Sequence, residues 1–123
     1  MNREIKFRVW DKYEKQMYPI SSIDYDIFSQ EIRIIAVGHK NGMCTAYNKN
    51  HNSEKCDITA LELMQYTGIH DIKGKEIYES MIINNEYIVV YNFSKFALKN
   101  KNNGNIIDFE RNKNYEITGE YFE

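Results

Sequence analysis

The stretch LMQYTGIHDIKGKEIYES, residues 63–80, decides how the chain is read. Short apolar pairs alternate with two glycines and a tight polar turn. Asp71 suits the first position of a turn, and Gly74 can take the positive φ that a three-residue loop with a bulge requires. HDIKGKEIY therefore reads as a hairpin, with Gly68 ending the LMQYT segment before it and Ile77 and Tyr78 restarting a strand after it. This reverses the chain sharply where an N-terminal part hands over to a C-terminal one.

Turn signals recur at intervals of eight to twelve residues on both sides. Downstream, MIINNEYIVVY reads as a second hairpin bending at Asn84-Asn85. FSKFALKN and NIIDF flank KNNG as a third, and YEITGEYF supplies a last strand. Asparagine tolerates the left-handed backbone region, so Asn-rich spacers between apolar runs read as turns. Five or six short strands in this rhythm predict a small barrel or roll over residues 63–123.

Upstream, REIKFRVWD alternates with period two. Ile5, Phe7 and Val9 share one face, and Lys6, Arg8 and Trp10 the other. MYPI resumes after a polar turn; Pro19 cannot donate to a ladder and predicts an edge or an end there. SIDYDIF and EIRIIAV form a further hairpin. Residues 38–57 read as two loops flanking a short strand at Met43–Tyr47. Asp57 or Thr59 caps a brief helix through ITALELM. The fold class is mainly β, or β-rich α+β. Its regions are 1–62, antiparallel strands with a variable loop and one short helix, and 63–123.

Bulk properties fit one compact domain or two very small lobes. The chain has 123 residues, 42% hydrophobic and 28% charged. Its 14% aromatic content, with ten Tyr and six Phe, favours strands. A net charge of −2 gives no global field toward nucleic acid or an anionic membrane. The opening MNREIKFRVW lacks the apolar run of a signal peptide, and no stretch approaches a membrane span. The expectation is a cytoplasmic protein without a membrane role, its two cysteines reduced.

Several residue groups have the side-chain types that sites use. His39, Cys44, His51 and Cys56 are the one metal-like constellation, but H-x4-C repeated twice departs from zinc-ligand spacing, so no metal and no cofactor is expected. Asp24 and Asp26 stand two apart on a strand, a pattern shared by proton-sharing carboxylates and by solvated strand faces. No nucleophile elbow or phosphate-binding glycine run is present, so no enzyme is expected. Lys95, Lys99, Lys101, Arg111 and Lys113 interleave with Phe93, Phe96 and Phe109 in one segment, which suits stacking of bases and tracking of phosphates. Arg8, Trp10, Tyr13, Tyr18 and Tyr66 form a second patch of interface-type residues. Binding is thus assigned to Arg8, Trp10, Tyr66, Lys99, Lys101 and Arg111.

IKFRVWDKYEKQMY followed by LMQYTGIHDIKGKEIYES resembles the YopX-like proteins of bacteriophages and prophages. That family opens with K-F-R-x-W-D and K-x-M-Y, matched by Lys6–Asp11 and Lys15–Tyr18. It continues with L-M-Q-Y-T-G, D-x-x-G-K-E-I-Y-E and a terminal Y-E-x-x-G, matched by Leu63–Gly68, Asp71–Glu79 and Tyr115–Gly119. The resemblance implies a β-rich fold with a Src-homology-3-type C-terminal barrel, phage origin and self-association. It implies no activity. Where the family usually has Gly-Asp after I-Y-E, this chain has Ser80-Met81, so the bend that glycine permits must be built differently.

The expected function is a phage-encoded accessory protein that binds a host component and inhibits or redirects it, such as an anti-CRISPR or another anti-defence inhibitor. The expected partners are a second copy of the chain, in a homo-oligomer, and an unidentified host protein. Two alternatives are a nucleic-acid-associated replication or regulatory module, and an oligomeric sponge for a small signalling nucleotide.

Overall fold

A computed structural model describes residues 4–48, 56–111 and 113–122. It contains two compact units, Lys6–Leu63 and the unit built on Met64–Glu123. Both are antiparallel β structures, as the alternation and turn spacing predict. Among the described residues no helix is long and apolar enough to cross a membrane.

The N-terminal unit is a meander of β1 (Phe7–Asp11), β2 (Gln16–Asp26), β3 (Glu31–Gly38) and β4 (Cys44–Asn48). Val9, Ile35, Val37 and Tyr47 form its core, with Tyr18, Ile20 and Ile32 packed around them. Pro19 is not at an edge strand. It stands where β2 changes partner: β1 pairs with residues up to Pro19, and β3 pairs from Ile20 onward. A missing N–H is tolerated at that junction because neither ladder continues through it.

One carboxylate organises this unit. Asp11 is 0% exposed. One oxygen accepts the amides of Tyr13 (2.8 Å) and Glu14 (3.0 Å), and the other accepts the Tyr47 hydroxyl at 2.6 Å. The carboxylate closes the β1–β2 turn and ties it to β4, which is 36 residues away. Burial, reinforced by the hydrogen bond to Asp11 and its charge, pushes the Tyr47 phenol far above its ordinary range.

The expected helix is a single 3-10 turn, Ile58–Ala60, capped by the Asp57 carboxylate on the Thr59 amide at 2.9 Å. Leu61 is already extended, and β5 runs from Leu61 to His70. Ladder pairing outweighs the helix preference of LELM, since a chain too short to nucleate a helix gains more from a sheet partner. Gly68 does not end the strand. It sits within β5 at φ 85, where the register to β6 (Glu76–Tyr78) shifts between Tyr66 and His70. A bulge is the reason for the glycine.

In the C-terminal unit, β7 (Met81–Ile83), β8 (Tyr87–Asn92), β9 (Lys95–Asn100), β10 (Ile106–Asp108) and β11 (Ile117–Glu120) form a five-stranded sheet ordered β10-β9-β8-β7-β11. The expected small barrel or roll is an open sheet: among the described residues β10 and β11 do not pair to close it. Its outermost strands have three and four residues, too short to wrap round and close a ladder. Ile77, Met81, Ile83, Val89, Leu98 and Tyr115 make the core. Complete burial of a residue such as Ile77 or Leu98 contributes roughly 1.5–3 kcal/mol.

The turn grammar is largely as read. Gly74 has φ 81, and its amide bonds the Asp71 carbonyl at 3.0 Å. Asn84 and Asn85 are left-handed, at φ 53 and 58. Ser80, standing where the resembling family has glycine, is left-handed as well, at φ 70. The bend is therefore kept, with a side chain that tolerates it poorly. Its amide bonds the Val89 carbonyl and its carbonyl accepts the Tyr121 amide, each at 2.8 Å, so the backbone there is pinned on both sides. Ser80→Gly should raise stability by about 1 kcal/mol, since an L side chain in this region costs roughly 1–2 kcal/mol. Urea denaturation of the two proteins measures the shift in midpoint.

Candidate functional site

The six candidate residues fall in different places. Arg8 and Tyr66 are buried and Trp10 is half-buried, so each offers little surface to a partner. Tyr66 packs on Tyr78 with centroids 5.5 Å apart, and its hydroxyl is 3.2 Å from His70 Nδ1. Lys99, Lys101 and Arg111 are exposed. They are divided between two grooves of the C-terminal unit.

The first groove encloses about 540 Å³ and is lined by Tyr91, Phe96, Phe109, Ile69 and the charged set Lys95, Asp108, Glu110 and Arg111. Tyr91 meets Phe96 edge-on at 5.2 Å, and Phe109 meets Tyr115 at 4.8 Å. The charges partly cancel: Lys95 pairs with Asp108 at 2.7 Å and Lys113 with Glu110 at 3.4 Å. The Lys95 hydrogen bond and charge hold the Asp108 carboxyl below its usual range. The pair is solvated on both sides and adds little stability. Arg111 makes no ion pair among the described residues; its guanidinium lies 3.5 Å from where a Cβ on Gly68 would stand.

The second groove, about 430 Å³, holds Lys99 and Lys101 beside Tyr121 and Phe122, over a floor that includes Ile88 and Val90. In the N-terminal unit a smaller groove of about 390 Å³ is lined by Met17, Tyr18, Pro19, Gly38 and His39. There Tyr18 donates to the Glu14 carboxylate. That bond, with burial and the nearby charges of Glu14 and Asp11, pushes the phenol up to about 12. A phenol so shifted stays protonated at neutral pH. His39 sits edge-on to Tyr18 and contacts Thr45 Oγ1 at 2.7 Å.

Of the metal-like constellation, Cys44 is exposed, Cys56 is half-buried, and His51 lies outside the described residues. Among the described residues no three His, Cys, Asp or Glu side chains gather as a metal site. Of the Asp24/Asp26 pair, Asp24 is exposed and Asp26 is half-buried. Asp26 caps the β2–β3 turn, accepting the Phe28 amide at 2.9 Å, and that bond leads the effects that lower its pKa.

The sequence places Phe93 among aromatics suited to stacking but does not mark it, or Phe28, as a hairpin tip. Phe28 is 93% exposed and Phe93 is 91% exposed. Phe93 and Ser94 form the two-residue loop between β8 and β9, at φ 50 and 66. Both residues are left-handed, as the twist of a two-residue hairpin favours, and Asn-Gly is the pair that suits such a loop. The neighbouring β7–β8 loop meets its own left-handed positions with Asn84 and Asn85. Here an aromatic ring is held in a strained backbone and pointed away from the core.

Open antiparallel sheets with surface grooves and projecting aromatic tips define a mainly β scaffold. The family model described as YopX protein matches residues 6–123, and the chain belongs to that family. It is similar in structure to the crystal structure of protein EF1440 from Enterococcus faecalis. The TM-score is 0.67 at 20% identity, over 98% of this chain and 95% of that one. At that identity the likeness shows the fold alone. No match is found among curated proteins.

The tip yields a direct test of strain. Replacing Phe93-Ser94 with Asn-Gly (F93N/S94G) should raise stability by about 1–2 kcal/mol, since a bulky residue in the left-handed region is unfavourable by that order. Thermal melting of both proteins checks it.

Proposed function

We propose that the chain is a non-enzymatic binding protein that docks on a protein of its host cell and inhibits or redirects it. In this reading it is phage- or prophage-encoded, as its resemblance implies, and its target is a component such as a defence effector. The observation that carries the reading is Phe93: fully presented, strained, and set on a hairpin whose geometry calls for other residues. Local rules are broken at sites of function, where a contact with a partner offsets the loss of stability. Aromatic side chains anchor protein interfaces because they bring large apolar area at small conformational cost.

A homo-oligomer is part of the proposal. β10 and β11 stand at the two ends of the sheet order, and β10 exposes Ile106 and Ile107. Such edges are stabilised by pairing or covering.

The test is affinity capture from host lysate with the native protein and the F93N/S94G variant, with and without nuclease treatment. The expected result is a protein retained by the native chain, resistant to nuclease, and lost with the more stable variant. A partner retained equally by both proteins would contradict the tip as anchor. Loss on nuclease treatment would favour the nucleic-acid alternative.

A further inference from the structure

The second groove of the C-terminal unit has a chemistry that the tip does not use. The register of the sheet places Ile83, Val89 and Leu98 on the face that forms the core, since Val89 opposes Leu98 and Ile83 opposes Tyr87. The alternating residues Ile88, Val90 and Lys99 face the other way, with Ile88 opposite Lys99. A sheet with one face on the core usually turns a polar face to water. Here that second face carries apolar Ile88 and Val90. The groove over it is lined by Tyr121 and Phe122, by Lys99 and Lys101, and by Glu79, whose carboxylate accepts the Gln65 amide at 2.8 Å.

The Tyr121 and Lys101 segments are held by backbone. The Tyr121 amide donates to the Ser80 carbonyl at 2.8 Å, at the left-handed bend that starts the sheet. Tyr121 stays exposed and meets Phe122 edge-on at 5.0 Å. The Lys101 amide donates to the Glu86 carbonyl at 2.9 Å. Gly104, left-handed at φ 75, lies beside the Lys99 stem, with Lys99 Cε in ordinary contact range at 3.9 Å from where a Cβ would stand. Neither lysine forms an ion pair among the described residues.

We infer that this groove binds a nucleoside phosphate, with the base against the Tyr121 and Phe122 rings and the phosphate on Lys99 and Lys101. An ammonium is a compact triple donor that suits phosphate oxygens. Aromatic faces take any base by stacking. A volume of about 430 Å³ lies in the range of small-ligand sites, roughly 300–1,000 Å³. An aliphatic anion would engage the lysines and the floor and leave the rings unused. A free nucleotide and a nucleotide within a single strand share this chemistry.

The test is equilibrium binding to the full chain at low salt, read by calorimetry. The probes are AMP, adenosine, inorganic phosphate and a ten-nucleotide single-stranded DNA. AMP should bind at least tenfold more tightly than either of its fragments. Lys99→Ala with Lys101→Ala should weaken AMP at least tenfold and leave adenosine unchanged, because both side chains are exposed and their loss leaves the core intact. Tyr121→Ala should weaken AMP and adenosine together; thermal melting of each variant verifies its fold. A decamer no tighter than AMP identifies a free nucleotide as the ligand. A decamer that binds more tightly, with a steep salt dependence, identifies a strand. The inference is overturned if AMP shows no saturable binding at millimolar concentration, or if the lysine variant binds it as the native chain does.

Discussion

The C-terminal unit hangs on the Asp71 carboxylate. It is 7% exposed and receives three amides. One oxygen accepts Lys73 and Lys75, each at 2.9 Å, which closes the Gly74 turn. The other accepts Ile117 at 3.4 Å, on the last strand. The next residue repeats the tie, as the Ile72 amide donates to the Tyr115 carbonyl at 2.9 Å. A local turn is thereby fastened to a strand 46 residues later. The ladder of β11 to β7 is irregular, with a register shift between Ile117 and Gly119, and the Thr118 hydroxyl adds side-chain bonds, accepting the Asn85 amide and donating to the Ile82 carbonyl. Burial disfavours the charged carboxylate, but the amides of Lys75, Lys73 and Ile117 and the Lys75 charge outweigh it, so its pKa is lowered.

Asp11 plays the corresponding part in the N-terminal unit: a buried carboxylate closes a turn and reaches a distant strand through Tyr47. A small β unit has little core, and fixing its turns with charged acceptors limits the conformations that compete with the sheet. With turns held this way, other positions are free to depart from local preference. Ser80 and Phe93 are such positions, each left-handed without being glycine or asparagine. Ser80 aims its carbonyl at the C-terminal segment, and Phe93 presents a ring to solvent. The groove and the tip both rest on these departures.

Much of the scaffold was legible because its signals are local. Gly74, Asn84-Asn85 and Asp57 declare their turns and cap through their own backbone preferences and side-chain oxygens, and period-two alternation marks the strands. The rest depended on partners distant in sequence. Pro19 reads as an edge until the ladder is seen to pass from β1 to β3 at that residue. LELM reads as helix until its backbone is seen to run extended. The bulge at Gly68 and the left-handed Phe93-Ser94 turn carry no residue signal that separates them from their alternatives. In the candidate site, Lys99, Lys101 and Arg111 look like one basic cluster. The structure sends the two lysines to one groove and the arginine to another. That division follows from pairing register and from the β10 hairpin, neither of which spacing reveals. Arg8 and Tyr66 share a pattern of interface residues, yet both are buried.

The most direct measurement is denaturant stability of the native chain and Asp71→Asn across pH 2–7. Asp71 has a folded pKa below its ordinary value of 3.8. Its contribution is therefore complete above the unfolded value and is lost as pH falls through the folded one. At pH 7 the variant should be less stable by on the order of 2 kcal/mol, given the loss of charged hydrogen bonds to three amides. The difference should shrink below about pH 4, as the native carboxylate takes up its proton. Equal stability at pH 7, or a difference unchanged down to pH 2, would contradict the role given to this carboxylate.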